Sequence, residues 1–184
     1  MSCGGHSIFF VSGCLFLLTA LILDVIGVAA PYWIYGETSG LKVNAGLWKE
    51  CATADIFGQK ISKCTEYGEG PVLDWLKAVR AFGLLGIFIS TIAIISAILK
   101  IRLKDRVFVL IIAIILSFIS AVCTIVSIAV YAGKYHELEK DDSFVKFSFA
   151  FAFCAVSIVL SVIAGICLII ELAKRSSYAS IVGR

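Results

Sequence analysis

Four runs of the chain are almost wholly apolar: Ile8–Ala30, Ala81–Leu99, Val107–Ala132 and Phe147–Ile170. Each comes close to or passes the ~20 residues a helix needs to cross about 30 Å of hydrocarbon. The stretches between them are polar. The pattern therefore predicts spans over 8–30, 81–99, 107–132 and 147–170, joined by segments 31–80, 100–106 and 133–146, with a tail over 171–184. The first run has the position of a secretory leader. Its apolar core is too long for one, no basic stretch precedes it, and no small-x-small cleavage site precedes Pro31-Tyr32-Trp33. We read it as a retained first span.

The first polar segment carries a different period. From Leu41 to Leu47 the apolar residues alternate (Leu41, Val43, Ala45, Leu47), as in a strand. Gly58–Glu66, with Ile61 and Cys64 as inward positions, and Pro31–Tyr35, rich in aromatic and β-branched residues, are expected to be two more. A small antiparallel sheet follows, and one of that size is marginal without a staple. Past Gly70-Pro71, the residues Val72, Trp75, Leu76 and Val79 mark one face of a helix from Pro71 to Ala81 that runs into the second span. Asp74 sits near its start, where a carboxylate suits the helix dipole.

Composition supports a lipid environment: 60% of residues are hydrophobic and only 16% charged, with a mean hydropathy of +1.01. A soluble domain would be roughly a quarter charged. Charge then sets the orientation. Lys100, Arg102, Lys104 and Arg106 crowd segment 100–106 against Asp105 alone, and Lys174, Arg175 and Arg184 lie in the tail. The positive-inside rule places these, and both termini, in the cytoplasm. Segments 31–78 and 133–146 then face outward, their eight lysines matched by ten acidic residues. The net charge of +3 includes no basic block, so no nucleic-acid surface is expected. No Ser/His/Asp set, phosphate-cradling glycine loop or metal-ligand spacing is present, so we expect no enzyme, cofactor or metal.

Of seven cysteines, Cys51 and Cys64 alone fall in the outward segments, on the oxidising side. A disulfide between them would close a loop worth about 3 kcal/mol by chain entropy. Metal binding is the rival reading, and only His136 lies on that side to assist. Cys14, Cys123, Cys154 and Cys167 lie inside apolar runs as small buried side chains, and Cys3 is either a palmitate acceptor or a plain thiol. Two stripes of small residues, Ser157-Ser161-Gly165 and Ser117-Ser120-Thr124-Ser127, read as bundle contacts in preference to a dimer seam. Asp24 is the one charged residue inside the four runs. It lies about 9 Å below the outer end of its helix at about 1.5 Å per residue. An unpaired charge at mid-membrane costs about 2.5–3.5 kcal/mol. The expected escapes are protonation, Arg80 at the same outer level, the hydroxyls of Ser127 and Tyr131, or water drawn in from the headgroups.

In order along the chain stand Pro31-Tyr32-Trp33, Gly46-Leu47-Trp48, Cys51 and Cys64. This set resembles the signature of the claudin superfamily, which includes claudins, peripheral myelin and epithelial membrane proteins, and channel-associated tetraspan subunits. Asp74–Ala81 is similar to the helix that follows the sheet in those proteins, and Arg80 stands where claudins carry a characteristic arginine. The resemblance covers nearly the whole chain. It implies a membrane all-α four-helix bundle topped by a small extracellular antiparallel β-sheet. It also implies that Trp33, Gly46, Leu47 and Trp48 fix the sheet onto the helix tops. Tryptophan suits that level, with an apolar body and an N–H that can stay wet.

The twelve residues between the cysteines are more than many claudins have. The ending Ser180–Arg184 differs from the hydrophobic ligand that PDZ scaffolds take, so such a scaffold is not expected. The tail and the Asp-Trp-Leu-Lys-Ala-Val run look closer to epithelial membrane proteins, yet Asn44 is no glycosylation sequon. The subfamily stays open. The leading expectation is a plasma-membrane junction protein that mediates adhesion and a paracellular barrier. It would oligomerise with claudin-like tetraspans side by side and across the cell gap, with Ile56, Phe57 and Tyr135 as contacts. The alternative is an auxiliary tetraspan that binds a channel or organises the membrane. The loop charges are mixed and give no pore polarity.

Overall fold

A computed structural model of the chain describes residues 2–3, 6–38, 41–56, 59–67, 74–102, 107–138 and 145–182. Two short strands, β1 (Ser2–Cys3) and β2 (His6–Ser7), pair just before the first helix. Four helices follow the apolar runs: α1 (Ile8–Ala29), α2 (Asp74–Arg102), α3 (Val107–Leu138) and α4 (Phe149–Val182). All four are long and apolar enough to cross a membrane. Helix α2 absorbs the short helix expected before the second span, and α3 and α4 run past the apolar runs that predict them. Helix α1 stops where its sequence requires. Ala30 precedes Pro31, whose ring disfavours helical backbone at the residue before it, and Ala30 adopts φ −75°, ψ 140°.

Helix α1 packs mainly on α4 and α2 mainly on α3. The serine stripes lie inside this bundle: Ser117, Ser120, Thr124, Ser127, Ser157 and Ser161 are all buried. They tie α3 to α2, because Ser127 donates to the Val79 carbonyl at 3.0 Å and Ser120 to the Gly86 carbonyl at 3.0 Å. In a membrane no hydrophobic force draws helices together, so close backbone approach and such bonds take its place. One apolar core, around Phe10, Leu17, Leu110 and Leu168, fills one half of the bundle. A second, around Trp33, Leu47, Val79 and Tyr131, fills the other half and reaches up to the sheet.

That sheet has five antiparallel strands: β3 (Ile34–Thr38), β4 (Leu41–Ala45), β5 (Lys49–Ile56), β6 (Gln59–Glu66) and β7 (Val145–Phe147), in the order β6-β5-β4-β3-β7. Two strands escape the periodicity argument. β5 carries weak strand formers and two alanines. β7 is three residues long and comes from the α3–α4 connection, so it pairs with β3 across most of the chain. The expected inward position of Ile61 is a further correction. Every residue of β6 is exposed, Ile61 at 55%, because β6 is the free edge and reaches beyond the helix tops.

Candidate functional site

The junction between sheet and bundle begins as a hydrogen-bonding problem. A helix leaves its last four carbonyls without partners inside itself. At the end of α1 three of them are satisfied one after another. Ile26 O accepts from the Ala30 N–H at 2.9 Å. Gly27 O accepts from the Trp33 indole N–H at 2.7 Å, and Val28 O from the Trp48 indole N–H at 2.8 Å. Both tryptophans thus cap α1, one from the turn after it and one from the β4–β5 connection. Asn44 donates to Pro31 O at 3.0 Å, securing the same turn. Trp33 is fully buried, so its N–H is not wet as sequence reasoning expects; a helix carbonyl takes the place of water.

Gly46 stands where the sheet crosses that turn. A Cβ there would meet Pro31 Cα at 2.5 Å and Ala30 O at 2.6 Å, so only glycine lets the two backbones touch. Leu47 then drops fully buried into the upper core. Arg80 closes the assembly from α2. Its Nε donates to Leu47 O at 2.6 Å, and its guanidinium lies 5.0 Å from the Trp48 ring and 5.9 Å from Tyr67. The Trp33, Gly46, Leu47, Trp48 and Arg80 positions therefore meet at one point, joining α1, α2 and the sheet.

The Cys51–Cys64 disulfide lies at the sheet's outer side. The β5–β6 register puts the two residues directly opposite, with Cα atoms 4.0 Å apart, and the bond ties the free edge strand to its neighbour. Five strands, four long apolar helices and this bond make one arrangement. The sequence matches the PMP-22/EMP/MP20/Claudin family over residues 6–168. The chain belongs to that family. Comparison with curated proteins returns no match. Proteins of the PMP-22/EMP/MP20/Claudin family are structural membrane proteins, and this chain is a multi-pass tetraspan with four helices long and apolar enough to cross a membrane.

Within this claudin-family bundle the structure partners Asp24 differently from sequence reasoning. Arg80 is engaged above, and Ser127 is turned to α2, so neither reaches the carboxylate. Asp24, 2% exposed, is held by Ser157 of α4, whose hydroxyl donates to Oδ1, and by Thr124 of α3, which donates to Oδ2 at 3.4 Å. Each hydroxyl has one proton and a competing carbonyl nearby, Cys154 O at 2.8 Å from Ser157 and Ser120 O at 3.2 Å from Thr124. The partners were legible only as members of the serine stripes. Nothing in the sequence says that α1 lies against α4.

A second charged site lies at the opposite end of the bundle, where sequence reasoning takes Lys100 for a loop cation. Lys100 is buried, 3.4 Å from Glu171 of α4 and with its ammonium 3.8 Å from the Phe10 ring of α1. Arg175 reaches the same carboxylate at 3.1 Å. A single acid thus gathers two cations and links α2, α1 and α4. Among the described residues no group of three His, Cys, Asp or Glu stands close enough to hold a metal.

The proposed contact residues fare unequally. Tyr135 is buried, its ring 4.8 Å from that of Phe147, because β7 folds over the end of α3. It is therefore not an exposed contact. Ile56 ends β5 at the turn into β6, while Phe57 and Cys3's side chain lie outside the described residues.

Proposed function

We propose that this chain is a structural protein of cell–cell junctions, with the sheet end extracellular and both termini cytoplasmic. Through the sheet it makes adhesive and barrier contacts at the plasma membrane. The observation that carries this reading is the contrast between the root and the rim of the sheet. Its root is locked to α1 and α2 by capped carbonyls and buried rings, while the whole of β6 is exposed and stapled at Cys64. A rigid root with an open strand edge suits contact with neighbouring molecules, since an unpaired strand edge is a template for association. Copies of this chain or other claudin-like tetraspans, in the same membrane and across the gap, are the partners. Ile56, the last residue of β5, and Phe57, the next in sequence, are the contacts we assign to that edge. The basic residues at the other end of the bundle favour this orientation by the positive-inside rule.

Freeze-fracture of strand-free cells expressing the chain tests the reading. Continuous fibrils at cell contacts are expected, and Ile56→Ser with Phe57→Ser should break them. Correct surface delivery without fibrils or aggregation would favour the auxiliary reading instead. An epitope tag between Glu139 and Lys140, in the stretch of sequence that joins α3 to β7, should stain intact cells, and a tag after Arg184 should stain only permeabilised ones.

A further inference from the structure

Between the sheet and the tops of α2 and α3 lies a cavity of about 260 Å³. Its chemistry is unusual for the space between two structural layers. Four aromatic rings line it, from Tyr67, Trp75, Tyr131 and Tyr135, together with aliphatic atoms such as those of Val43 and one carboxylate, Glu50. The Tyr131 and Tyr135 side chains are buried and make the floor. Trp75, half-buried, meets Tyr131 edge-on at 5.7 Å. Glu50 is exposed, at the rim.

Ring faces carry negative electrostatic potential, and a cation held between several of them is attracted without a hydrogen bond. Glu50 adds to that field. At Tyr67, burial first and the Glu50 charge second push the phenol up, with Arg80 acting the other way. Arg80 donates to Leu47 O and lies over the Trp48 ring at 5.0 Å and the Tyr67 ring at 5.9 Å, but it does not line the cavity. The space therefore suits a cation that is bulky, apolar on its surface and without N–H donors. A primary ammonium would exchange its water for ring faces, one carboxylate and at most three tyrosine hydroxyls; a trimethylammonium group has no donors to leave unsatisfied.

Position selects the source. Trp75 and Leu76 lie one to two turns above Ala81, where the apolar run of α2 begins, and aromatic belts mark headgroup level. The volume falls below the ~300–1,000 Å³ of sites for drug-sized molecules. It is the size of a headgroup. We propose that this cavity binds the trimethylammonium headgroup of a choline phospholipid in the adjacent leaflet, caged by Tyr67, Trp75 and Tyr131 and steered by Glu50.

The test uses the full chain purified in a maltoside detergent, which carries no choline. Dihexanoyl-phosphatidylcholine below its micelle concentration is the probe, read by saturation transfer from protein aromatic protons to its N-methyl protons. Strong transfer is expected, with affinity reduced roughly three- to fivefold by Glu50→Gln and about tenfold by Trp75→Leu. Glu50 is on the surface, so Glu50→Gln keeps the fold even where Trp75→Leu does not. Equal binding of dihexanoyl-phosphatidylglycerol would mean that the cavity takes the acyl chain, and would overturn the proposal. So would a Glu50→Gln protein that binds like the parent.

Discussion

Gly46→Ala tests the joint between sheet and bundle with one methyl group. The added Cβ would stand 2.5 Å from Pro31 Cα and 2.6 Å from Ala30 O, against the 3.4–4 Å of ordinary contact. About an ångström of separation must be found on two sides at once. Neither obstacle is a flexible side-chain end. Both are backbone atoms of the turn whose neighbouring carbonyls Trp33 and Trp48 cap, so relief means pulling indole N–H groups off Gly27 and Val28. Overpacking of this kind costs about 1–3 kcal/mol, and for a chain of this length each kcal/mol moves the melting temperature by about 2–4 °C. Thermal unfolding in detergent, followed by tryptophan fluorescence, should show Gly46→Ala melting roughly 2–12 °C early. Gly133→Ala is the matched control. No atom lies within 4 Å of its added Cβ, and in a helix the change favours folding by up to about 1 kcal/mol. A Gly46→Ala protein that melts with the parent, or a Gly133→Ala protein that falls equally far, would refute the close-approach argument.

In the bundle, Asp24→Leu and Ser157→Ala should couple by about 0.6–1.7 kcal/mol in a double-mutant cycle of thermal stability. Asp24→Leu and Arg80→Leu should simply add, and marked coupling between those two would contradict the geometry. Lys100→Met alone should cost about 1.5–3 kcal/mol, the worth of one hydrogen bond to a charged group, because Arg175 still holds Glu171. Lys100→Met with Glu171→Met should recover most of that in the same melting assay, Arg175 being solvated. Cys51→Ser should cost about 2–5 kcal/mol and reduce surface delivery, and peptide mapping of the parent without reductant should find one Cys51–Cys64 pair.

The helices were legible because membrane crossing leaves so blunt a mark: four runs with one charge among them. The end of α1 was legible because Pro31 forbids its continuation. Strands β5 and β7 were not, since each is held by its neighbours more than by its own residues. Lys49–Ile56 becomes a strand by lying between β4 and the disulfide-tied β6, and Val145–Phe147 by completing β3. The signature residues announced that a joint exists, and their chemistry came only with coordinates: the tryptophan N–H groups turn out to be helix caps. Asp24 and Lys100 illustrate the remaining limit. A charge in an apolar run signals that it must have a partner, but which partner depends on helix neighbours that no local pattern encodes. Arg80, the natural choice by depth, was already bound to Leu47.

The pairing of β3 with β7 has a consequence for how such a chain is made. Ile34 lies opposite Phe147, and Trp33 O accepts from the Ser148 N–H at 2.9 Å, although on the order of a hundred residues of chain separate them. A ribosome finishes β3 long before it reaches β7, and two further helices must be inserted in between. Throughout that interval β3 has one edge open, and an open strand edge binds whatever backbone it meets. Until its last helix begins, the nascent protein lacks the strand that covers this edge. Chains stopped short of Phe147 keep that edge bare, a template for pairing with other strands.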